Sequence, residues 1–451
     1  MTATNKIQTY LQKTASPLPL IFFRIALGSM LFASIVRFWY NGWIEALYIN
    51  PKHYFPFYGF EFVTPLGEFT YILFILCGAS ALMVALGLFY RVSSVVLFAS
   101  FTYIELIDKS TYLNHYYFIS LVCLLMIFLP ANTALSLDAL RNKKLAASQI
   151  PAWCTDSVKL FVGMLYFFAG LAKVNSDWLI HALPLRIWLP AKNDLPIIGG
   201  IFNHLWVAYA FAWIGCLYDL CIPFLLSNKK ARPFAYMAVV IFHTLTSMLF
   251  PIGMFPYVMM ATALIFFSPE FFHNILTKVS GNNTIVTTDR VFRYSRPARV
   301  CLQAFLAIFF IIQSVLPFRY LAYPGELFWT EQGYRFSWRV MLMEKAGHAE
   351  FTVKDTQGRL AVVDNKAFLT TLQEKMMTTQ PDMILQYAHI LRDHYTAQGF
   401  HSPQVYVDSY VALNGRLGMP LIDPHTNLAN QHESFRAKPW ILPHNHDSKG
   451  L

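Results

Sequence analysis

Nine apolar runs, near residues 19–40, 69–90, 92–107, 114–130, 157–174, 205–226, 234–250, 254–268 and 299–317, dominate the chain up to residue 317. Each approaches the length that an α-helix needs to cross a hydrocarbon layer of about 30 Å. Lipid offers no water to the backbone, so segments of this kind satisfy their own hydrogen bonds as helices. The shorter runs suggest helices sheltered by neighbours or partly re-entrant. The expected architecture is an all-α polytopic membrane domain of about nine transmembrane helices over 1–318, followed by a small α+β extracytoplasmic domain over 319–451.

Only 13% of the 451 residues are charged, and 56% are apolar. The formal net charge of +10 would suit a nucleic-acid partner if it lay on a soluble surface. It does not, because basic and acidic residues balance at 13 each over 319–451, which leaves the whole excess in the hydrophobic part. There it sets topology. With the N-terminus cytoplasmic, thirteen basic residues fall in inner loops, against four (Lys52, Lys109, Arg186, Lys192) in short outer ones. That bias places the C-terminal domain in a periplasm or a lumen. It also puts the Asn282-Asn283-Thr284 sequon in an inner loop, where it would go unused. The six cysteines sit in or beside apolar runs without CxxC spacing, so neither a zinc site nor a disulfide framework is indicated.

Beyond about Phe336 the pattern changes. Alternation at 338–344, 350–355, 359–364 and 404–412 reads as strands, and 366–378 and 382–397 read as helices. A Thr356-Gln357-Gly358 turn joins the second and third strands, and Asn414-Gly415 closes the last. The histidines at 425, 432, 444 and 446 are irregularly spaced in a polar tail, which reads as solvated coil rather than a metal site.

Ionisable groups in or at the edge of membrane helices are costly, and each is a candidate functional group unless a structural partner accounts for it. Lys173 ends the fifth run. In dry surroundings a lysine is a candidate uncharged amine able to abstract a proton; in wet ones it is a snorkelling anchor. His115 opens the fourth run from an outer loop, beside Asn114, either as a second titratable group at the same face or as a helix cap. His243 lies midway along the seventh run and Asp219 inside the sixth. A carboxylate at that depth needs a partner, and His243 or Lys173 would serve. Trp178, Trp188, Tyr257, Trp329, Tyr334, Phe336 and Trp338 cluster toward the outer side, as an interfacial belt or as walls for a flat hydrophobic ligand.

These residues, in this order, resemble the vitamin K-dependent gamma-carboxylases, whose membrane part is the horizontally transferred transmembrane (HTTM) domain. The matching stretches are Asp108-Lys109 with Asn114-His115, then Tyr166-Phe167, Ala169-Gly170, Lys173 and Asp177-Trp178. They continue with Phe242-His243, Phe250, Ile252-Gly253-Met254-Phe255, Tyr257-Val258-Met259, Tyr334 and Ser337-Trp338. In the C-terminal domain they are Tyr406-Val407-Asp408, Leu413-Asn414, Arg416 and Asp423-Pro424.

The resemblance implies a membrane lyase that couples oxygenation of vitamin K hydroquinone to its epoxide, using dioxygen, with addition of carbon dioxide at the γ-carbon of a glutamyl residue. No metal is implied. It casts Lys173 as the initiating base, with His115 in the chemistry and Tyr334 and Trp338 near the quinone and glutamate region. Asn114, His243, Met254 and Tyr257 are expected around the quinone, with Asp219 and Asp108 in a structural polar network. The implied partners are the lipid bilayer, the quinone and a glutamate-containing peptide or protein. A short chain without a cleavable leader fits a bacterial member in an inner membrane.

Two departures stand out. Ala172 replaces a second lysine of animal members, and their Tyr-Gly-Tyr-Ser-Trp reads here as Tyr334-Arg335-Phe336-Ser337-Trp338. The alternatives are a quinone epoxidase or other lipid or quinone enzyme without glutamate carboxylation, and a noncatalytic membrane binding protein or transporter. No inverted repeat supports transport.

Overall fold

The computed structural model describes residues 3–280 and 288–444. The 282–284 sequon and His446 lie outside them.

Each apolar run folds as helix. The principal ones are α1 (Leu18–Tyr40), α2 (Thr70–Leu86), α3 (Tyr90–Ile107), α4 (Asn114–Phe128), α5 (Ala152–Ala172), α6 (Leu205–Ser227), α7 (Arg232–Leu249), α8 (Phe255–Thr262), α9 (Pro269–Ser280) and α10 (Arg296–Val315). Six of these segments are long and apolar enough to cross a membrane. A seventh would be the broken pair formed by α8 with its 3₁₀ extension and α9, bent by 107°. By length and composition, six or seven spans qualify among the described residues, which does not confirm the expected count of about nine. The difference rests on α4, which has only 15 residues, on α7, which is not among the spans, and on the bend before Pro269.

The loops sort to two ends. At one, Asp138 accepts hydrogen bonds from the backbone N–H groups of Phe89 and Tyr90, and the Ala152 N–H donates to the Lys13 carbonyl. Arg24 is buried there and donates to the carbonyls of Ala131 and Leu135. At the other end the C-terminal domain docks on the loops that follow α1, α3 and α5.

That domain is a four-stranded antiparallel sheet in the order β2-β1-β3-β4, with β1 Lys345–Lys354, β2 Leu360–Val362, β3 Gln404–Leu413 and β4 Met419–Pro420. Register pairs Phe351 with Val407 and Val353 with Val405. These residues point to one face, as the two-residue strand period requires. There they pack under α12 (Pro381–Ala397), through Ile384, Tyr387 and Leu391. A shorter helix, α11 (Thr371–Met377), precedes it and opens with a capping box between Thr370 and Gln373.

The strand expected at 338–344 does not form. Phe336, Trp338 and Met341 all have φ between +52° and +62°, left-handed conformations that a strand does not hold. The alternation there is real but serves another purpose, since the segment threads between the two domains and sends side chains into both. His444 is not a solvated tail residue either: its ring lies 4.8 Å from that of Trp329, and Nδ1 is 3.1 Å from Glu326.

Candidate active site

Helix α5 delivers Lys173 and helix α6 delivers Asp219, and a glycine lets them meet. A Cβ on Gly170 would lie 2.7 Å from the Leu220 backbone nitrogen and 3.1 Å from the Asp219 carbonyl carbon. Only glycine allows the two backbones so close. One turn further on, Lys173 Nζ stands 2.7 Å from Asp219 Oδ2 and 3.3 Å from the Ala169 carbonyl oxygen. Both side chains are buried at 8% exposure. Asp219 thus has its partner, and it is Lys173.

The indole of Trp178 covers this pair from the side, its centroid 5.4 Å from Nζ. Asn175 fixes the ring by accepting from the Trp178 N–H, and Trp178 Nε1 donates to the Ala212 carbonyl. On α7, His243 Nε2 lies 3.0 Å from the Tyr166 hydroxyl. Its buried Nδ1 has no hydrogen-bond partner among the described residues. Lys173, Asp219, Tyr166, Trp178 and His243 line one side of a cavity of about 90 Å³, and Trp188, Phe242, Phe250 and Met259 complete an almost wholly apolar wall.

A second, larger cavity of about 600 Å³ adjoins it. Asn114, His115, Met254 and Tyr334 line this one, with Arg37, Lys109, Glu331, Arg335 and Arg339. Asn114 Nδ2 donates to the Arg339 carbonyl at 2.7 Å and so ties α4 to the interdomain segment. Ile252, Phe255, Val340 and Met341 line both cavities, where the two meet. The Phe255 ring lies 5.4 Å from that of His115 and 6.0 Å from that of His243.

The residues expected in one pocket are therefore divided between two. Two of them line neither. Tyr257 is half exposed on the outside of α8, and Trp338 is fully buried, its ring 5.0 Å from Tyr117 and 5.6 Å from Phe161. Trp338 packs the core because the backbone twist at that position turns it away from the cavities.

The Asp108-Lys109 and Asp177-Trp178 stretches hold the C-terminal domain in place. Asp108 accepts from Gln373 Nε2 at 2.7 Å, and Lys109 pairs with Asp382 at the same distance. Asp177 receives both guanidinium nitrogens of Arg416, together with Asn414 Nδ2 at 2.7 Å. Burial pushes the Asp177 carboxyl up, but the Arg416 and Asn414 hydrogen bonds outweigh it and hold the group below the usual carboxylate range. Burial acts likewise on Asp382, and there Arg335 and Lys109 together hold the carboxyl well below that range.

Sequence reasoning passed over three residues that matter here. Gly170 appeared only within a matching stretch, with no sign that its lack of a side chain sets the approach of two helices. Arg37, at the end of α1, and Glu105, buried in α3 with Oε2 2.5 Å from Ser120 Oγ, fall under the same rule that singled out Lys173, namely charge inside an apolar run.

Residues 12–271 match the family model of the HTTM domain, and residues 298–447 match that of the vitamin K-dependent gamma-carboxylase lumenal domain. No solved structure matches the chain.

Proposed function

Because this chain belongs to the vitamin K-dependent gamma-carboxylase family, we propose that it is a membrane carboxylase coupling oxygenation of vitamin K hydroquinone to carboxylation of glutamyl γ-carbons, with Lys173 as the initiating base. The observation that carries this reading is the buried Lys173–Asp219 pair set into an aromatic cavity.

The cavity suits a quinol ring. Trp178, Trp188, Phe242 and Phe250 present flat apolar faces, and a Cβ on Gly215 would meet nothing within 4 Å, so there is room beside α6. The unpartnered Nδ1 of His243 is a buried polar atom that a ring oxygen or hydroxyl would satisfy. When bound, the hydroquinone supplies, with dioxygen, the oxidative energy for a base stronger than any side chain, which a γ C–H bond requires.

The protein's own residues do the rest. An ammonium–carboxylate pair already holds its proton on Nζ, so Nζ accepts another only after that proton moves to Asp219. The move leaves the pair neutral overall and frees a lone pair in a dry site. Asp219 thereby orients Nζ and stores the proton, while Trp178 keeps water away. Phe255 stands where this cavity meets the polar one, so that the base formed at the quinol ring reaches the γ-carbon of a substrate faced by His115, Asn114 and Tyr334.

We assign 1–318 to the membrane part and 319–451 to the C-terminal domain. The loop charge bias orients the chain with its N-terminus cytoplasmic and the docked end in the periplasm or a lumen; a bacterial inner membrane suits it.

Purified protein given vitamin K hydroquinone, labelled bicarbonate and a glutamyl peptide tests the reading. The expected result is quinone epoxide together with label in the peptide, and loss of both in Lys173→Ala. Epoxide without label would leave an uncoupled quinone epoxidase, and undiminished epoxidation by Lys173→Ala rejects the base assignment.

A further inference from the structure

We propose that the larger cavity is a carboxylate-binding chamber and that Arg37 is its anchoring cation, holding the side-chain carboxylate of a glutamyl substrate with Arg339 as the second cation. The proposal rests on the functional reading above only for the identity of the anion.

The cavity is lined by four basic side chains and one acidic one. Three of these five are already ion-paired within the protein, the two cations sharing one carboxylate. Lys109 and Arg335 both pair with Asp382, and Glu331 pairs with Lys345. The two left over are arginines. Arg339 is buried against the Tyr320 ring, its Nη2 donates to the Pro317 carbonyl, and its Nε has no partner. Arg37 lies at the end of α1, its guanidinium 4.8 Å from the Trp43 ring and beside the Gly253 turn. Among the described residues it has neither a carboxylate partner nor a side-chain hydrogen bond.

Arg24, on the same helix, shows the contrast, since both its terminal nitrogens are bonded to carbonyls. A cation left unpaired at a membrane helix end, facing a chamber rather than lipid, marks a binding site for an anion. Guanidinium is also the group best shaped to grip a carboxylate with two parallel hydrogen bonds.

The chemistry gives that grip a purpose. Removing a γ-proton places a second negative charge next to the carboxylate, and the electron pair spreads onto its oxygens until the new C–C bond to carbon dioxide forms. A guanidinium on those oxygens stabilises the charge as it develops. The product carries two carboxylates on one carbon, matching two cations.

Equilibrium binding to the detergent-solubilised protein, without hydroquinone or bicarbonate, tests this independently of turnover. The probes are a short glutamyl peptide, its glutaminyl counterpart and N-acetylglutamate amide. Binding of the glutamyl peptide but not the glutaminyl one is expected. Arg37→Gln should weaken it at least about tenfold, and Arg37→Lys should recover part of the loss at an unchanged melting temperature. If N-acetylglutamate amide binds as tightly as the peptide, the side-chain carboxylate alone is recognised; if only the peptide binds, the chamber also reads backbone. Equal glutamyl binding by wild type and Arg37→Gln overturns the proposal, and so does displacement of the peptide by short-chain phosphatidylglycerol with no preference for glutamyl over glutaminyl. Peptide binding without any carboxylation would instead sink the catalytic reading and leave this site standing.

Discussion

Lys173 Nζ and Asp219 Oδ2 stand 2.7 Å apart in a buried pair, on helices held together through Gly170. If Asp219 acts by orienting the amine and storing its proton, Asp219→Asn keeps the shape and removes the proton store. Hydroquinone epoxidation should then fall by roughly a hundredfold, the low end of what a positioned acid–base group contributes. The Lys173→Ala/Asp219→Asn double variant should be no slower than Lys173→Ala alone, because residues acting as a unit are not additive. Additive losses in that cycle would show that the two residues act separately.

Gly170→Ala should separate the pair without altering either side chain. Its Cβ would lie 2.7 Å from the Leu220 nitrogen, a backbone atom that cannot yield. The expected cost is about 1–3 kcal/mol of stability, together with a loss of epoxidation. Gly163→Ala is the control, since its Cβ would meet only the Pro223 side chain at an ordinary 3.4 Å. Thermal melting and epoxide assays on both variants check this, and equal behaviour would refute the close-approach argument.

Phe255 stands at the junction of the two cavities, and Phe255→Ala should widen it. Water reaching the quinol cavity from the polar one would quench the strong base before it meets a γ C–H bond. The ratio of epoxide to carboxylated product should therefore rise, measured with labelled bicarbonate in parallel with epoxide yield. An unchanged ratio would mean that the junction does not govern coupling.

The docking of the two domains should depend on pH. Asp177 and Asp382 have folded-state carboxyls held below their ordinary range, so their contribution is complete above an unfolded value of about 3.9. It is lost as pH falls from there toward the lowered values. Limited proteolysis between the domains should accelerate below about pH 4 and not between pH 5 and 8.

Asp382→Asn should mimic the acid state at neutral pH. It leaves Lys109 and Arg335 buried without their carboxylate, a change that typically costs about 3 kcal/mol or more. Digestion already fast at pH 7, with only the Asp177 share of the acid response left, is the expected outcome. Protection equal to wild type would show that the Lys109–Asp382–Arg335 cluster does not hold the interface.

Much of this was open to a reader of the sequence. Lys173, His115, His243 and Asp219 could be singled out because charge and polarity in an apolar run are expensive wherever the helices go. The strands at β1 and β3 were legible because one face of the sheet is buried under α12. The segment 338–344 misled for the opposite reason: its alternating side chains serve two different cores across a twisted backbone, which mimics a strand without pairing as one. Span number stayed open because apolar length alone does not distinguish a crossing helix from the short α4 or from a chain bent before Pro269.

What the sequence determined by itself is the solvent of each part. Long apolar runs with few charges have to be helices in lipid, and a balanced, alternating C-terminal stretch has to be an α+β domain in water. Tertiary structure alone decided the partnerships. Lys173 meets Asp219 across 46 residues and Asp177 meets Asn414 across 237, distances over which no local pattern carries information. Whether a guanidinium is held by backbone carbonyls, as at Arg24, or left facing a chamber, as at Arg37, depends on which backbones packing brings alongside it.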